Sequence, residues 1–155
     1  MKAELVNPFI TATKNVLETM AFIQVTPGKP YLKKETTATG DVSSIVGLTG
    51  SPNGSFSISF EKNIILKIVS NMFGEDITEL NEDVAEASGE IANMVSGQAR
   101  QELEVDGYLF DGSIPSVVTG EKHELRHITE GPKIAVPFQE NETGGKFTLE
   151  ICFEG

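Results

Sequence analysis

The sequence predicts an α+β protein of two layers, in which a mostly antiparallel sheet packs against about three helices. Apolar residues recur at helical spacing in three separate segments, and short strand-like segments occur in groups between and after them. Glycine and proline separate most of these short segments, as in the turns between antiparallel strands. With 155 residues, of which 39% are hydrophobic, the chain has enough apolar material for a core. We therefore expect a single domain that spans residues 1–155.

The first predicted segment is a helix. Asn7 is a suitable N-cap and Pro8 suits the first helical position, so the pattern predicts that the helix begins there. Residues 22–25 follow as a short predicted strand, and the threonine-rich residues 31–39 are predicted to form a second strand.

A hairpin and a second helix come next in the prediction. Residues 41–48 and 55–60 flank a loop with two glycines and a proline, which is a hairpin signal. In the second of these strands three apolar residues alternate with serine, a pattern typical of a strand with one solvated face. Apolar residues at helical spacing predict a helix over residues 61–73, and Gly74 provides its C-terminal stop.

Three further strands are predicted in the last third of the chain, over residues 114–118, 133–138 and 146–153. The last of them contains neither proline nor glycine. An unprotected strand edge pairs readily with another chain, and a two-fold dimer is the commonest closed assembly. We therefore expect residues 146–153 to form an exposed edge through which two copies pair as a homodimer. The alternative is an inner strand that is already paired on both sides.

Composition and charge narrow the classes of function. The chain has 12 basic and 23 acidic residues and a formal net charge of −11. Nucleic-acid binding requires clustered Lys and Arg, so this class is excluded. No apolar run approaches the ~20 residues of a membrane span, and the single Cys152 fits a reducing compartment. We expect a cytoplasmic protein whose partners are other proteins.

A long helix predicted over residues 81–104 carries a polar stripe. At about 100° per residue, Glu86, Glu90, Asn93 and Gly97 fall within about 60° of one another. The apolar residues of the same helix fall on the opposite side. Two carboxylates, one carboxamide and a position without a side chain therefore share the face directed away from the core.

Two glycines inside this helix, Gly89 and Gly97, indicate that its polar face is more than a solvated surface. Each costs about 1 kcal/mol relative to alanine in a helix interior. A solvated helix gains nothing from such residues, so another surface is expected to come close to this face. We interpret the face as a functional site.

The spacing of Glu90 and Asn93, with the acidic Glu86 four positions before Glu90, resembles the signature helix of the CheC/CheX/FliY chemotaxis phosphatases. Glu86 stands where this pattern usually carries Asp or Ser. Other segments of the chain resemble the family in their order along the sequence. They are residues 7–9 (Asn-Pro-Phe), 40–44 (Gly-Asp-Val-Ser-Ser), 72–74 (Met-Phe-Gly) and 136–138 (Val-Pro-Phe). With one signature helix instead of two, the chain is similar to the CheX-type members.

The resemblance implies a CheC-like fold and a phosphatase that acts on the aspartyl phosphate of a CheY-like response regulator. In this interpretation Asn93 orients the attacking water and Glu90 pairs with the active-site lysine of the regulator, so these two are the catalytic candidates. Glu86 and Gly97 are the partner-binding candidates. The chain is expected to bind no metal or other cofactor, because the regulator supplies the Mg²⁺ ion. CheX-type homodimers are also implied, with one signature helix in each subunit.

Two other classes of function stay open. A non-catalytic adaptor would use the same helix face to bind a receiver domain in a chemotaxis or flagellar-switch pathway. Residues 123–127 (His-Glu-Leu-Arg-His) also match the H-E-x-x-H pattern, in which a helix directs two histidines at a zinc ion. The segment is mostly charged and has glycine or proline close on both sides, which does not suit a buried helix. We expect His123 and His127 to lie partly exposed near the sheet edge.

Overall fold

The predicted α+β architecture is confirmed in the computed structural model, which describes residues 3–121, 123–127 and 130–154. Within these ranges three helices pack against one face of an eight-stranded sheet. No helix in this part of the chain is long and apolar enough to cross a membrane. The elements are α1 (Ala3–Ala21), β1 (Val25–Pro27), β2 (Tyr31–Leu32), β3 (Val42–Thr49), β4 (Gly54–Phe60), α2 (Lys62–Phe73), α3 (Glu82–Val105), β5 (Asp111–Gly112), β6 (Ser116–Thr119), β7 (Lys133–Glu140) and β8 (Lys146–Phe153).

The sheet has the strand order β1-β7-β8-β4-β3-β5, with β2 also paired to β7 and β6 also paired to β3. All of these pairings are antiparallel. The predicted hairpin is confirmed as β3 and β4, in which Val42 lies opposite Phe60. Its loop directs the chain back so that β4 pairs with β8 on its other side.

The strand predicted as an exposed edge is an inner strand, so that prediction is wrong. β8 pairs with β4 on one side and with β7 on the other. Seven of its eight residues are buried. A long strand without proline or glycine suits an inner position, where every backbone group joins a ladder. Homodimer formation stays a prediction, now without a strand assigned to it.

The core lies between the helices and the sheet. Alternate residues of the central strands point towards the helices, as the period of a strand requires. On α2 the predicted apolar face is buried, and Gly74 ends the helix with a φ of 68°, a conformation that glycine adopts without strain. The largest core side chains are Phe9, Leu17, Phe56, Ile58, Phe60, Ile64, Ile65, Ile68, Ile91, Phe138, Phe147 and Phe153.

The first helix begins earlier than predicted. α1 starts at Ala3, so Asn7 and Pro8 lie in its second turn and not at its N-terminus. Pro8 has no N–H to donate within the helix. Leu5, Val6, Pro8 and Phe9 are all buried, however, and burial of this apolar face outweighs one lost hydrogen bond.

The two strands predicted after α1 are displaced and shortened. Phe22 has a φ of 56° and leaves the helix direction, so the first strand begins only at Val25. The second strand ends at Leu32. Residues 33–39 then pass over the face of the sheet opposite the helices, where Thr39 Oγ1 donates a hydrogen bond to Thr148 Oγ1 at 2.8 Å.

The serines of β4 are buried, which corrects the prediction of one solvated face. Residues 33–39 and 123–127 cover this second face of the sheet. Ser59 Oγ lies 2.6 Å from Ser43 Oγ, and Ser55 Oγ lies 2.6 Å from His127 Nδ1. The alternation with serine therefore marks a polar buried layer, in which the hydroxyls of Ser55 and Ser59 have protein groups as hydrogen-bond partners instead of water.

A buried ion pair lies in the same layer. Lys33 Nζ is 2.6 Å from Glu150 Oε2, and their side chains are 2% and 0% exposed. His127 Nε2 lies 3.4 Å from the other carboxylate oxygen. Burial raises the pKa of Glu150, but His127 and Lys33 outweigh this effect and hold the pKa below its ordinary value. Glu150 is therefore ionised at neutral pH inside the protein.

Candidate functional site

The long predicted helix is confirmed as α3. Its N-cap is Asn81, whose side-chain oxygen accepts a hydrogen bond from the backbone N–H of Val84 at 3.0 Å. Ser88 is buried on the sheet side, and its Oγ lies 2.8 Å from Ser44 Oγ on β3. These contacts and the apolar residues of the helix fix its rotation, so the predicted polar stripe faces outwards.

The four predicted site residues all lie on the exposed side of α3. Glu86, Glu90 and Asn93 are spaced by four and three residues, so they are neighbours on one face of the helix. They line one shallow groove of about 430 Å³. Gly97 lines an adjacent hollow of about 700 Å³. The structure therefore brings three candidates into one groove and places the fourth beside it.

The opposite wall of the groove comes from residues 112–117. In this region the sequence pattern predicted only a strand, over residues 114–118. Gly112 allows this wall to approach α3, because a Cβ there would lie 2.8 Å from Ser96 Oγ and 2.9 Å from Arg100 Nε. Ser113 Oγ accepts a hydrogen bond from the backbone N–H of Gly47 at 2.8 Å and so fixes the wall to β3. The glycine of this segment was the only sequence signal of so close an approach.

The two glycines of α3 have different explanations. A Cβ at Gly89 would lie 3.2 Å from Val117 Cγ2, so Gly89 lets the wall pack closely against the helix. A Cβ at Gly97 would have no heavy atom of the described chain within 4 Å beyond its own neighbourhood in the helix. Packing within the protein thus explains why residue 89 is glycine. No such contact explains Gly97, although glycine there makes the helix less stable than alanine would.

The polar groups of the groove suit binding and orientation. The carboxamide of Asn93 can accept one hydrogen bond and donate others at the same time. Glu86 and Glu90 add two carboxylates to the same face, which suits a cationic group on a partner. Beyond Gly97 on the same side, Arg100 Nε donates a hydrogen bond to Ser96 Oγ at 3.1 Å.

The H-E-x-x-H segment lies away from this groove, on the other face of the sheet. Residues 123–127 do not form a helix, and Glu124 forms a single bridge with Thr37. His123 Nε2 lies 2.6 Å from Ser43 Oγ on β3, whereas His127 Nδ1 contacts Ser55 on β4. His123 is partly exposed and also lies 2.6 Å from the carbonyl oxygen of Gly120, just after β6, as expected for a position near the sheet edge. His127 instead lies over an inner strand, and its side chain is only 2% exposed. The helix that a zinc-peptidase site requires is not formed.

The fold and the stripe on α3 together define a domain of the CheC-like class. The crystal structure of a CheC-like superfamily protein from Shewanella sp. PV-4 superposes with a TM-score of 0.91 at 43% sequence identity. The match covers 100% of this chain and 100% of that chain. Residues 42–139 match the family model described as chemotaxis phosphatase CheX, and the chain belongs to this family.

Two relatives extend the comparison. The CheY-P phosphatase CheX of Thermotoga maritima is 30% identical over 127 residues, which is 81% of this chain and 82% of that protein. The crystal structure of the CheX–CheY–BeF₃–Mg²⁺ complex from Borrelia burgdorferi matches with a TM-score of 0.79 at 26% identity. That match covers 97% of each chain.

Proposed function

We propose that this protein dephosphorylates the aspartyl phosphate of a CheY-like response regulator and so terminates a chemotaxis or related two-component signal. The observation that carries the proposal is the exposed pair of Glu90 and Asn93, which share one groove on α3 in a member of the CheX family. We infer that residues 1–155 act as one phosphatase domain in the cytoplasm, and that the domain works as a homodimer.

Asn93 orients the attacking water in this mechanism. An aspartyl phosphate is an acyl phosphate and already labile to water, so positioning alone supplies a useful acceleration. The carboxamide oxygen accepts a hydrogen bond from the water and holds it in line behind the phosphorus atom. Placement on a long helix whose rotation is fixed by buried contacts keeps this geometry tight.

Glu90 and Glu86 hold the regulator in this mechanism. The carboxylate of Glu90 pairs with the active-site lysine of the regulator, and Glu86, one turn earlier, adds a second carboxylate on the same groove. The complex of the Borrelia relative contains CheY together with Mg²⁺. We infer that Mg²⁺ likewise arrives with the regulator, where it neutralises charge on the phosphoryl oxygens.

Release of inorganic phosphate from a phosphorylated CheY-like regulator tests the function directly. We expect release to accelerate when this protein is added at matched Mg²⁺ concentration, and to scale with its concentration. A protein that binds the phosphorylated regulator without accelerating release would be an adaptor, and the phosphatase proposal would then be wrong.

Gly97→Ala is expected to stabilise the fold and yet impair the phosphatase. Alanine is favoured over glycine by about 1 kcal/mol in a helix interior, and the added Cβ meets nothing in the free protein. The Tm should therefore rise by about 2–4 °C. If the regulator approaches α3 at this point, as proposed, turnover at low regulator concentration should fall several-fold.

The matched variant for this test is Gly89→Ala, whose Cβ would crowd Val117 within the protein. The Tm of Gly89→Ala should therefore lie below that of Gly97→Ala, because both gain helix propensity and only Gly89→Ala must displace a neighbour. Full activity in a stabilised Gly97→Ala protein would show that the regulator leaves this position free.

A further inference from the structure

The wall of the groove contains a β-bulge. β3 pairs Leu48 with Gly112 and Ile45 with Ser116. Two residues of β3, residues 46 and 47, therefore lie opposite three residues, 113–115, which join β5 to β6. A bulge of this kind bends the strand and redirects a side chain, and bulges occur often beside functional sites.

The side chain released by this bulge is an exposed isoleucine. Ile114 is 89% exposed, although it lines the same groove as Glu90 and Asn93. Pro115 follows it and has no backbone N–H to donate to the neighbouring strand, so regular strand pairing cannot continue through the bulge. The backbone has therefore turned a large apolar side chain away from the core and beside the polar groups of the groove.

A second exposed apolar residue lies farther along the same segment. Leu109 is 71% exposed and lines the hollow that contains Gly97 and Arg100. Ile114 and Leu109 thus lie beside the polar stripe of α3, on the side where Gly112 packs against the helix. Apolar side chains surrounded by polar groups are the usual composition of a protein-binding surface.

We propose that the segment from Leu109 to Ile114 is the second half of the docking surface for the receiver domain, with Ile114 as its apolar anchor and Leu109 as a weaker contact. This inference rests on the proposed function. Ile114 and Asn93 line one groove, so a receiver domain that reaches the amide of Asn93 also covers Ile114. The same partner therefore contacts both residues. The partner therefore presents an apolar patch next to the cationic groups that face Glu86 and Glu90.

Serine substitutions test this surface without disturbing the core. Ile114→Ser and Leu109→Ser are compared with Val105→Ser, a control that removes an 85% exposed side chain lining a different hollow with Thr11 and Asn15. Phosphate release is measured as a function of phosphoregulator concentration. Binding is titrated separately with a CheY-like regulator loaded with beryllofluoride and Mg²⁺.

Ile114→Ser is expected to raise both KM and Kd by about tenfold, because truncating a central anchor typically costs this much. Its kcat should stay within about twofold of the parent value, because Ile114 touches no reacting atom. Leu109→Ser should show a smaller rise, and Val105→Ser none. Parent-like KM and Kd in Ile114→Ser would overturn the docking surface while leaving the phosphatase proposal intact.

The binding titration distinguishes the two proposals if the parent protein shows no phosphatase activity. A parent protein that binds the loaded regulator but releases no phosphate would overturn the proposed function. Loss of that binding in Ile114→Ser would still support the docking surface.

Discussion

Replacing Asn93 by alanine is expected to lower the rate of regulator dephosphorylation by about 100-fold or more, because orientation of a reacting group commonly contributes on this scale. The fold should be unaffected, since the side chain is exposed and lines an open groove. Alanine is also the better helix former, so the free energy of unfolding should stay equal or rise by up to about 0.7 kcal/mol. Turnover assays and urea unfolding of the same preparation check both parts.

Glu90→Ala and Gln98→Ala provide the contrast for this prediction. Gln98 is exposed on α3 but lines a different hollow, so its replacement should leave both turnover and binding unchanged. Truncating Glu90 should instead weaken binding of the regulator by about 2–5 kcal/mol, as expected for a desolvated charge pair that loses one member. Asn93→Ala should bind the regulator almost as the parent protein does. Turnover near the parent rate in Asn93→Ala would refute the water-orienting role.

Lys33→Met is expected to destabilise the protein by about 3–5 kcal/mol, because it leaves the carboxylate of Glu150 buried with an incomplete set of partners. Both side chains of the pair are almost completely buried, at a distance of 2.6 Å between Nζ and Oε2. Chemical denaturation at neutral pH measures the loss. The neighbouring Lys34 is exposed, so Lys34→Met should have little effect.

The pH dependence of this loss has a defined sign. In the parent, the pKa of Glu150 is held below its ordinary value, so its contribution is present above the unfolded-state pKa and disappears as the pH falls through the folded-state pKa. Without Lys33, burial should raise the pKa, and the protonated carboxyl is then the form that the folded state favours. The deficit of Lys33→Met should therefore shrink in acid. A deficit that is constant from neutral to acidic pH would contradict a charge-based role for the pair.

Methionine at both positions gives a second check. Removing Lys33 and Glu150 together eliminates the uncompensated charge, and buried pairs replaced by apolar residues often lose little stability. The double variant should therefore recover most of the loss seen in Lys33→Met.

Local patterns in the sequence predicted several structural features whose physical cause is itself local. The αL stop at Gly74 and the hairpin loop each depend on a few adjacent residues. The polar stripe of α3 follows from helical geometry alone, since residues three and four apart share a face. Helical spacing alone therefore places Glu90 and Asn93 on one face, without any tertiary contact.

Other features depend on segments that are distant in the sequence, so no local pattern could predict them. The alternation of β4 could not show that residues 33–39 and 123–127 cover its serines, because polar residues suit a hydrogen-bonded layer as well as water. The same limit applied to β8. A strand without proline or glycine suits an inner position but is also possible at an edge, and only the pairing with β4 and β7 decided between them.

The functional face combines both kinds of information. Its polar groups were determined by the sequence, because they lie on one helix with a fixed period. Its shape was decided by the tertiary structure, because the wall at residues 112–117 depends on a bulge against β3 and on the close approach of Gly112 to α3. The packing of this wall against α3 also explains Gly89, where a Cβ would contact Val117. The space around Gly97 stays open beside the site.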